Sequence, residues 1–348
     1  MQSLRGAELW QRLPLEAIIF IYLLVYLPNI VITKLLSSQP HATLGRPLTG
    51  LEILPASLIL SAILTFIFVW WSNWWRDANQ VTIVGRSVPM PTRYTLLSGL
   101  GTALVLFTVP LSFTFQGVSI PFIQLLMRGD ILIIAPVVDL IFRRRVRWWS
   151  WAALVMVFVA LAITLVDRGG FHLPPLAILT VALYTFGYFL RLFVMTKVSK
   201  TGDSASIRKY FVEEKIVALP VSILVLALLS AAGLGGQAGE LRWGFVAVWS
   251  DPAILPLALL AVTMTVISIL SIIILLDSRE NAYCVPLERA ASLLAGIGGA
   301  LILAWFWGLD DPRPAELAGA AILIGAIALL SLAPRFAQTV VVARAETL

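Results

Sequence analysis

Charged side chains inside long apolar segments are the residues of this sequence that could do chemistry. Arg128 lies about nine residues into such a segment, roughly 13 Å deep for a helical rise of 1.5 Å per residue, and Asp130 follows it. Helix positions i and i+2 do not face each other, so Asp130 cannot simply neutralise Arg128. Arg289 lies beside Glu288 in a later apolar segment. Because a guanidinium group suits phosphate or carboxylate, the two arginines predict an anion-binding site.

A structural role is the alternative for these arginines, since salt bridges to Asp130, Glu288 or Glu52 would also satisfy them. Arg191, in a third apolar segment, predicts either a gate at the cytoplasmic mouth or an anchor at the interface. The other substrate-binding candidates are polar or aromatic residues on predicted helices: Gln124, Tyr22, Tyr26, Tyr188 and Tyr283. Tyrosine rings spaced i,i+4 could stack on a base or a sugar, and ordinary helix packing is the alternative reading.

Several further residues are expected to serve the helices themselves. Glu16, Glu213 and Glu214 open predicted helices, where an acidic side chain complements the helix dipole, and carrying a coupling proton is the alternative. Lys34 and Lys215 lie near predicted helix ends and are expected to reach the lipid headgroups, with a substrate role as the alternative. Pro28-Asn29 and Gly187 are predicted to break their helices. His41 and His172 are expected to be solvated loop residues, and Cys284 alone can form no internal disulfide.

The composition indicates a chain that is embedded in a lipid bilayer. Of its 348 residues, 59% are hydrophobic and only 13% are charged, whereas soluble domains carry about a quarter charged residues. Apolar runs of about 20 residues, the length that crosses the hydrocarbon layer, recur along the chain. The sequence predicts an all-α integral membrane protein with ten spans, near 15–37, 51–75, 94–115, 119–142, 148–166, 173–197, 211–232, 252–276, 282–307 and 314–333.

The distribution of positive charge predicts that both termini are cytoplasmic. With that orientation, the cytoplasmic loops collect most of the lysines and arginines, and the opposite side receives only Arg46, Arg168, Arg242 and Arg313. The tryptophans near residues 70–75 and 148–151 fall at the same predicted interface. The net charge of +6 is therefore attributed to topology and to contact with anionic lipid rather than to nucleic-acid binding. A bacterial inner membrane is the expected location.

The two halves of the chain resemble each other at a nearly constant offset. Val31-Ile-Thr-Lys34 matches Val194-Met-Thr-Lys197, and Pro55-Ala-Ser57 matches Pro220-Val-Ser222. Arg128 matches Arg289 in the same order. Five spans per half is an odd number, so residues 1–167 and 168–348 are predicted to be inverted repeats, a recurring device in secondary transporters.

Two segments carry a resemblance to the drug/metabolite transporter superfamily, of the EamA type and similar to nucleotide-sugar transporters. They are Val118-Ser-Ile-Pro-Phe-Ile-Gln-Leu-Leu-Met-Arg128 and Tyr283-Cys-Val-Pro-Leu-Glu-Arg289, with the small-residue run Glu316 to Gly325 near the end. The resemblance implies ten helices in two inverted halves around a central cavity, with spans 5 and 10 peripheral. Members usually carry a Gly-Glu pair before the fifth span, where this chain has Arg143 to Arg145.

These observations favour a secondary active transporter of a small polar, anionic metabolite that is phosphorylated, nucleotide-linked or carboxylate-bearing. An exporter of amino acids or amphiphilic drugs is the alternative, as is a membrane enzyme or flippase acting on lipid-linked substrates. No catalytic cluster and no phosphate-binding glycine loop is recognised, so the chain is not expected to be an enzyme. The expected partners are the substrate and membrane lipid, with no metal or other cofactor and no nucleic acid, and a homodimer is left open.

Overall fold

The computed structural model of the protein describes most of the chain and contains no ligand. The described residues are 13–83, 85–115, 118–127, 148–167, 174–198, 203–233, 237–277 and 281–346. Arg128, Asp130 and the arginines at 143–145 lie outside these ranges.

Each predicted span overlaps a helix that the structure describes. They are α1 (Leu15–Ser38), α2 (Gly50–Trp71), α3 (Arg93–Ser112), α4 (120–127), α5 (Trp148–Asp167), α6 (Pro175–Val198), α7 (Ser204–Ala232), α8 (Gln237–Phe245), α9 (Ile254–Leu275), α10 (Asn281–Trp307) and α11 (Pro314–Glu346). Short 3-10 turns follow α2 at Trp74–Arg76 and α8 at Ala247–Ser250. The helix α8 was not predicted from the sequence.

Seven of the described helices are long and apolar enough to cross a membrane, namely α1, α2, α3, α6, α7, α9 and the part of α10 from Leu287. Shorter apolar helices run over Trp151–Asp167 and Pro314–Leu329. Large apolar side chains are exposed along these helices, including Trp70, Trp148 and Trp305. Apolar surface of this extent requires a non-aqueous surrounding, so the chain is a helical integral membrane protein.

The chain divides into two compact units, and each takes helices from both halves of the sequence. Unit 1 comprises Met1–Val118 and Pro174–Ser278, and unit 2 comprises Ser119–Leu173 and Arg279–Leu348. Within unit 1, α3 packs on α6 and α7, and α9 packs on α1 and α2. Within unit 2, α11 packs on α5 and α10.

Side-chain caps fix where three helices of unit 1 begin, namely α2, α3 and α7. Thr49 and Glu52 form a capping box at the start of α2, and Thr92 and Thr95 form another at the start of α3. Asp203 caps α7 by accepting a hydrogen bond from the Ser206 backbone N–H. That hydrogen bond is also the main cause of the lowered pKa of the Asp203 carboxyl group.

A small β-hairpin joins α2 to α3 and departs from the predicted all-α architecture. Strand β1 (Gln80–Ile83) pairs antiparallel with β2 (Arg86–Pro89), and Gly85 adopts a positive φ of 72° in the turn. The segment alternates polar and apolar residues over too few positions to stand out beside long apolar runs.

The helices α1 and α6 are continuous, which corrects the prediction that Pro28-Asn29 and Gly187 would break them. Pro28 lies inside α1, and Asn29 donates a hydrogen bond of 2.9 Å to Thr263 on α9. Gly187 instead allows α6 to approach α3 at Gly101. A Cβ at Gly101 would lie 2.6 Å from the Gly187 carbonyl oxygen, which is closer than atoms pack.

We expect Gly101→Ala to destabilise the protein by about 1–3 kcal/mol, because the added methyl group overpacks the crossing of α3 and α6. Gly239→Ala is the matched control, since a Cβ there meets nothing within 4 Å. Thermal unfolding of the purified protein in detergent measures both variants. Equal midpoints for Gly101→Ala and the wild type would contradict the close crossing.

Candidate functional site

Unit 1 contains a buried group of charged and polar side chains where α3, α6 and α7 meet. We call it the Glu214 cluster, and its members are Ser98 and Thr102 on α3, Arg191 on α6, and Tyr210, Glu214 and Lys215 on α7. All of these residues are buried. The cluster therefore lies inside the packed helices, away from the helix surfaces that face lipid.

One carboxylate oxygen of Glu214 collects most of the hydrogen bonds. The Oε1 atom accepts from Arg191 Nε at 2.8 Å, from Thr102 Oγ1 at 2.6 Å and from the Tyr210 hydroxyl at 3.2 Å. Tyr210 is in turn hydrogen-bonded to Ser98. Three helices thus meet at a single oxygen atom, and charge-assisted hydrogen bonds of this kind are stronger than neutral ones.

The second carboxylate oxygen is much less satisfied. Glu214 Oε2 lies 3.5 Å from Lys215 Nζ and has no hydrogen-bond partner among the described residues. The Lys215 ammonium also lies 5.6 Å from the centre of the Phe211 ring. Arg191 and Lys215 therefore share one carboxylate, and the cluster carries one more positive than negative group.

Burial makes this imbalance costly. The exposed fractions of Arg191, Glu214 and Lys215 are 5%, 0% and 2%. A charge in the middle of a membrane span costs about 2.5–3.5 kcal/mol on insertion scales, and it faces a partner or a cavity in known membrane proteins. A surplus cation is therefore suited to receive a negatively charged group.

The structure corrects the sequence interpretation of Glu213, Glu214 and Lys215. The helix α7 begins at Ser204, so Glu214 lies about 15 Å along it rather than at its first turn. Neither a dipole role for the glutamates nor headgroup contact for Lys215 fits this depth. Arg191 is buried and held in the ion pair with Glu214, and its role as a gate or an interfacial anchor stays a prediction.

Glu213 has a different task from its neighbour. Its carboxylate accepts hydrogen bonds from the backbone N–H groups of Asn79 at 2.9 Å and Thr92 at 3.3 Å, and from Thr95 Oγ1 at 2.7 Å. Asn79 and Thr92 flank the β-hairpin, so one buried carboxylate fixes both ends of it. Of the two adjacent acidic residues of α7, Glu213 therefore binds the ends of the hairpin and Glu214 binds the groups of the charged cluster.

Polar contacts also fasten the loops at the opposite end of unit 1. His41 Nε2 lies 2.9 Å from Asp251 Oδ1, and Thr43 donates to the other oxygen of Asp251 at 3.0 Å. His41 is therefore held against a partner, which corrects its expected place as a solvated loop residue. Arg46 pairs with Glu52 at 2.6 Å, and that hydrogen bond raises the pKa of the Arg46 guanidinium group.

The predicted site residues fall in several places. Arg191 belongs to the Glu214 cluster, and Tyr188, also on α6, lies close enough to act on Arg191 electrostatically. Tyr188 stacks on Tyr184 with ring centres 5.7 Å apart, and Tyr22 and Tyr26 form a similar buried pair on α1 at 5.4 Å. These tyrosines contact one another as neighbours on a helix, and their contact with a substrate stays a prediction.

The other predicted site residues lie in unit 2 or outside the described ranges. Glu288 and Arg289 are both buried in α10. Gln124 on α4 is buried against Gly296, where a Cβ would lie 2.6–2.9 Å from the amide atoms. Tyr283 falls within α10, but its side chain, like Arg128 and Asp130, lies outside the described residues. The predicted pairing of Arg128 with Arg289 therefore stays a prediction.

Sequence reasoning missed most of the Glu214 cluster, although a signal was present. Asp203 followed by Ser204 and Ser206 is a helix-start pattern, and it precedes Glu214 by three turns of helix. Counting from that cap would have placed Glu214 and Lys215 well beyond the first turn of the helix. Ser98 and Thr102 are spaced i,i+4 on α3, but hydroxyl groups in an apolar helix do not by themselves indicate what they bind.

The fold places the chain in the class of helical integral membrane proteins. Comparison with known proteins adds little to that assignment. No protein-family model matches the chain, and no curated protein matches it. One solved structure, described only as the crystal structure of a protein, is similar at 14% sequence identity with a TM-score of 0.48. The similarity covers 91% of this chain and 97% of that one.

We expect Glu214→Gln to destabilise the protein by about 3–5 kcal/mol, because it leaves the buried guanidinium group of Arg191 without a countercharge. Thermal or denaturant unfolding of the purified protein measures the loss. Arg208→Gln is the control, since it removes a partly exposed ion pair with Asp77 that is worth about 0–1 kcal/mol. Equal losses in the two variants would show that the Glu214 cluster is not charged as described.

Proposed function

We propose that the protein is a secondary active transporter of a small anionic metabolite. The observation that carries this proposal is the surplus positive charge of the Glu214 cluster, where Arg191 and Lys215 share one carboxylate inside apolar helices. An anionic group of the solute would supply the missing negative charge. Cationic substrates are disfavoured by the same imbalance.

The helix pairing of unit 1 supports the inverted repeat on which such a transporter would depend. In the numbering of the predicted spans, α3 is the third span of the first half. It packs on α6 and α7, which are the first and second spans of the second half. The helix α9 is the third span of the second half. It packs on α1 and α2, which are the first and second spans of the first half. An exchange of this form is what two inverted, related halves would produce.

The anion site proposed from Arg128 and Arg289 is retained beside the Glu214 cluster. The burial of Arg289 and Glu288 in α10 supports it, since buried intramembrane charges are functional candidates by default. The two proposed sites can be tested by separate substitutions, because Arg289 and the Glu214 cluster belong to different units.

The test is thermal stabilisation of the purified protein by a panel of solutes, because a ligand that binds only the folded state raises its apparent stability. The panel comprises gluconate, glutamate, inorganic phosphate, glucose 6-phosphate and UDP-glucose, with ethidium as a cationic probe. We expect at least one anion to stabilise the wild type and ethidium not to. For that anion, we expect Lys215→Met to weaken binding about tenfold, the loss of about one charge-assisted contact.

Lys209→Met is the matched control, since Lys209 lies on the same helix but is exposed. Its response to the anion should equal that of the wild type. Stabilisation by ethidium alone, or an anion response that Lys215→Met leaves unchanged, would overturn the assignment of the anion to this cluster.

The positive-charge asymmetry supports a cytoplasmic location for the hairpin end of unit 1, where Arg93 and Lys197 approach the ring of Tyr94. We expect Lys209→Cys, in a Cys284→Ser background, to react in intact cells only with a thiol reagent that crosses the membrane. Arg46→Cys, at the opposite end of unit 1, should react with an impermeant reagent as well. The reverse pattern would invert the proposed orientation.

A further inference from the structure

The Glu214 cluster contains two cations that differ in what they can do. The guanidinium group of Arg191 stays protonated under all conditions found in proteins, whereas the ammonium group of Lys215 can release its proton. Arg191 also donates a direct hydrogen bond to Glu214 at 2.8 Å, while Lys215 remains 3.5 Å from the second oxygen. Lys215 is therefore the more weakly held cation and the one with an exchangeable charge.

Among the described residues, the charged and hydrogen-bonding groups recorded around Lys215 and Glu214 lie on three helices. The helix α7 itself supplies Tyr210, α6 supplies Arg191 and Tyr188, and α3 supplies only the hydroxyl groups of Ser98 and Thr102. Glu213 is directed to the hairpin ends instead. Among the described residues, no second carboxylate of the neighbouring helices pairs with Lys215, so its charge has to be balanced by a solute or removed.

Charge neutrality then links the solute to a proton. With Lys215 uncharged, the empty cluster holds one positive and one negative group and has no net charge. With Lys215 protonated and a monoanion bound, it holds two of each and again has no net charge. Both states avoid a net buried charge, whereas binding the anion without the proton, or the proton without the anion, creates one.

We propose that Lys215 is the proton-coupling residue and that the protein carries one proton together with each anion. This inference rests on the proposed transport function and adds its coupling ion. Lys215 takes up a proton when the anion binds beside it, and gives the same proton to water on the other side when the anion leaves. For a monoanion the transported unit has no net charge, so its movement is driven by the pH gradient.

The experiment uses proteoliposomes that contain the full chain and an internal pH indicator. The external probes are gluconate, glutamate and UDP-glucose, none of which titrates near neutral pH, so acidification of the interior reports protons carried with the anion. For the wild type we expect about one proton per anion, and we expect gluconate flux to be unaffected by an imposed membrane potential.

The decisive variant is Lys215→Arg, which keeps the positive charge but cannot release a proton. We expect it to retain anion-dependent stabilisation, to acidify the interior about tenfold less per anion, and to carry gluconate in a potential-dependent way. Lys209→Arg, exposed on the same helix, should behave as the wild type.

Two outcomes overturn the inference while transport stands. They are anion entry into wild-type liposomes without acidification, and equal acidification by Lys215→Arg and the wild type. The wild-type proton ratio decides whether a proton travels with the anion even if Lys215→Arg does not fold. If none of the probes or the solutes of the stabilisation panel is bound or carried, the proposed function fails, and the inference fails with it.

Discussion

The arrangement of unit 1 depends on one carboxylate that two cations share in a medium that cannot solvate them. Glu214 is completely buried and accepts from Arg191 on α6 and Thr102 on α3 at the same oxygen. Removing Glu214 leaves buried positive charge without a partner, and hydrocarbon provides no water to replace it. The three helices are therefore held at one mutual position, and the close approach at Gly101 and Gly187 lets α3 and α6 reach it.

The two exchanged helix pairings of unit 1 use different chemistry. Where α9 meets α1 and α2, the contacts are neutral: Asn29 donates to Thr263 at 2.9 Å, and Ser61 and Thr265 are 3.0 Å apart. Where α3 meets α6 and α7, the contacts involve charges. Neutral hydrogen bonds between membrane helices contribute modestly, about 0.6 kcal/mol on average, and they serve packing. Burying charged groups where α3 meets α6 and α7 costs more free energy than helix packing alone would justify. We therefore assign the anion site to that crossing.

Acidic side chains also connect the loops to the helices at both ends of unit 1. Glu213 fixes the hairpin through backbone N–H groups at Asn79 and Thr92. At the other end, the Asp251 carboxylate contacts His41, and the Glu240 carboxylate accepts a hydrogen bond of 2.8 Å from the Thr49 hydroxyl group. Each carboxylate joins segments that are far apart in sequence, so the loops are fixed relative to the helices that they connect.

The sequence by itself determined that the chain is a helical membrane protein, because hydrocarbon imposes a length and a composition on each span that can be read locally. It also placed Arg191, Arg289 and Gln124 inside helices for the same reason. Only the tertiary structure decided which charges meet. The start of α7 at Ser204 depends on the Asp203 cap, and the partners of Glu214 lie on two other helices at separations of 23 and 112 residues. Apolar periodicity does not specify such separations, because a lipid-facing helix and a helix-facing one are equally hydrophobic.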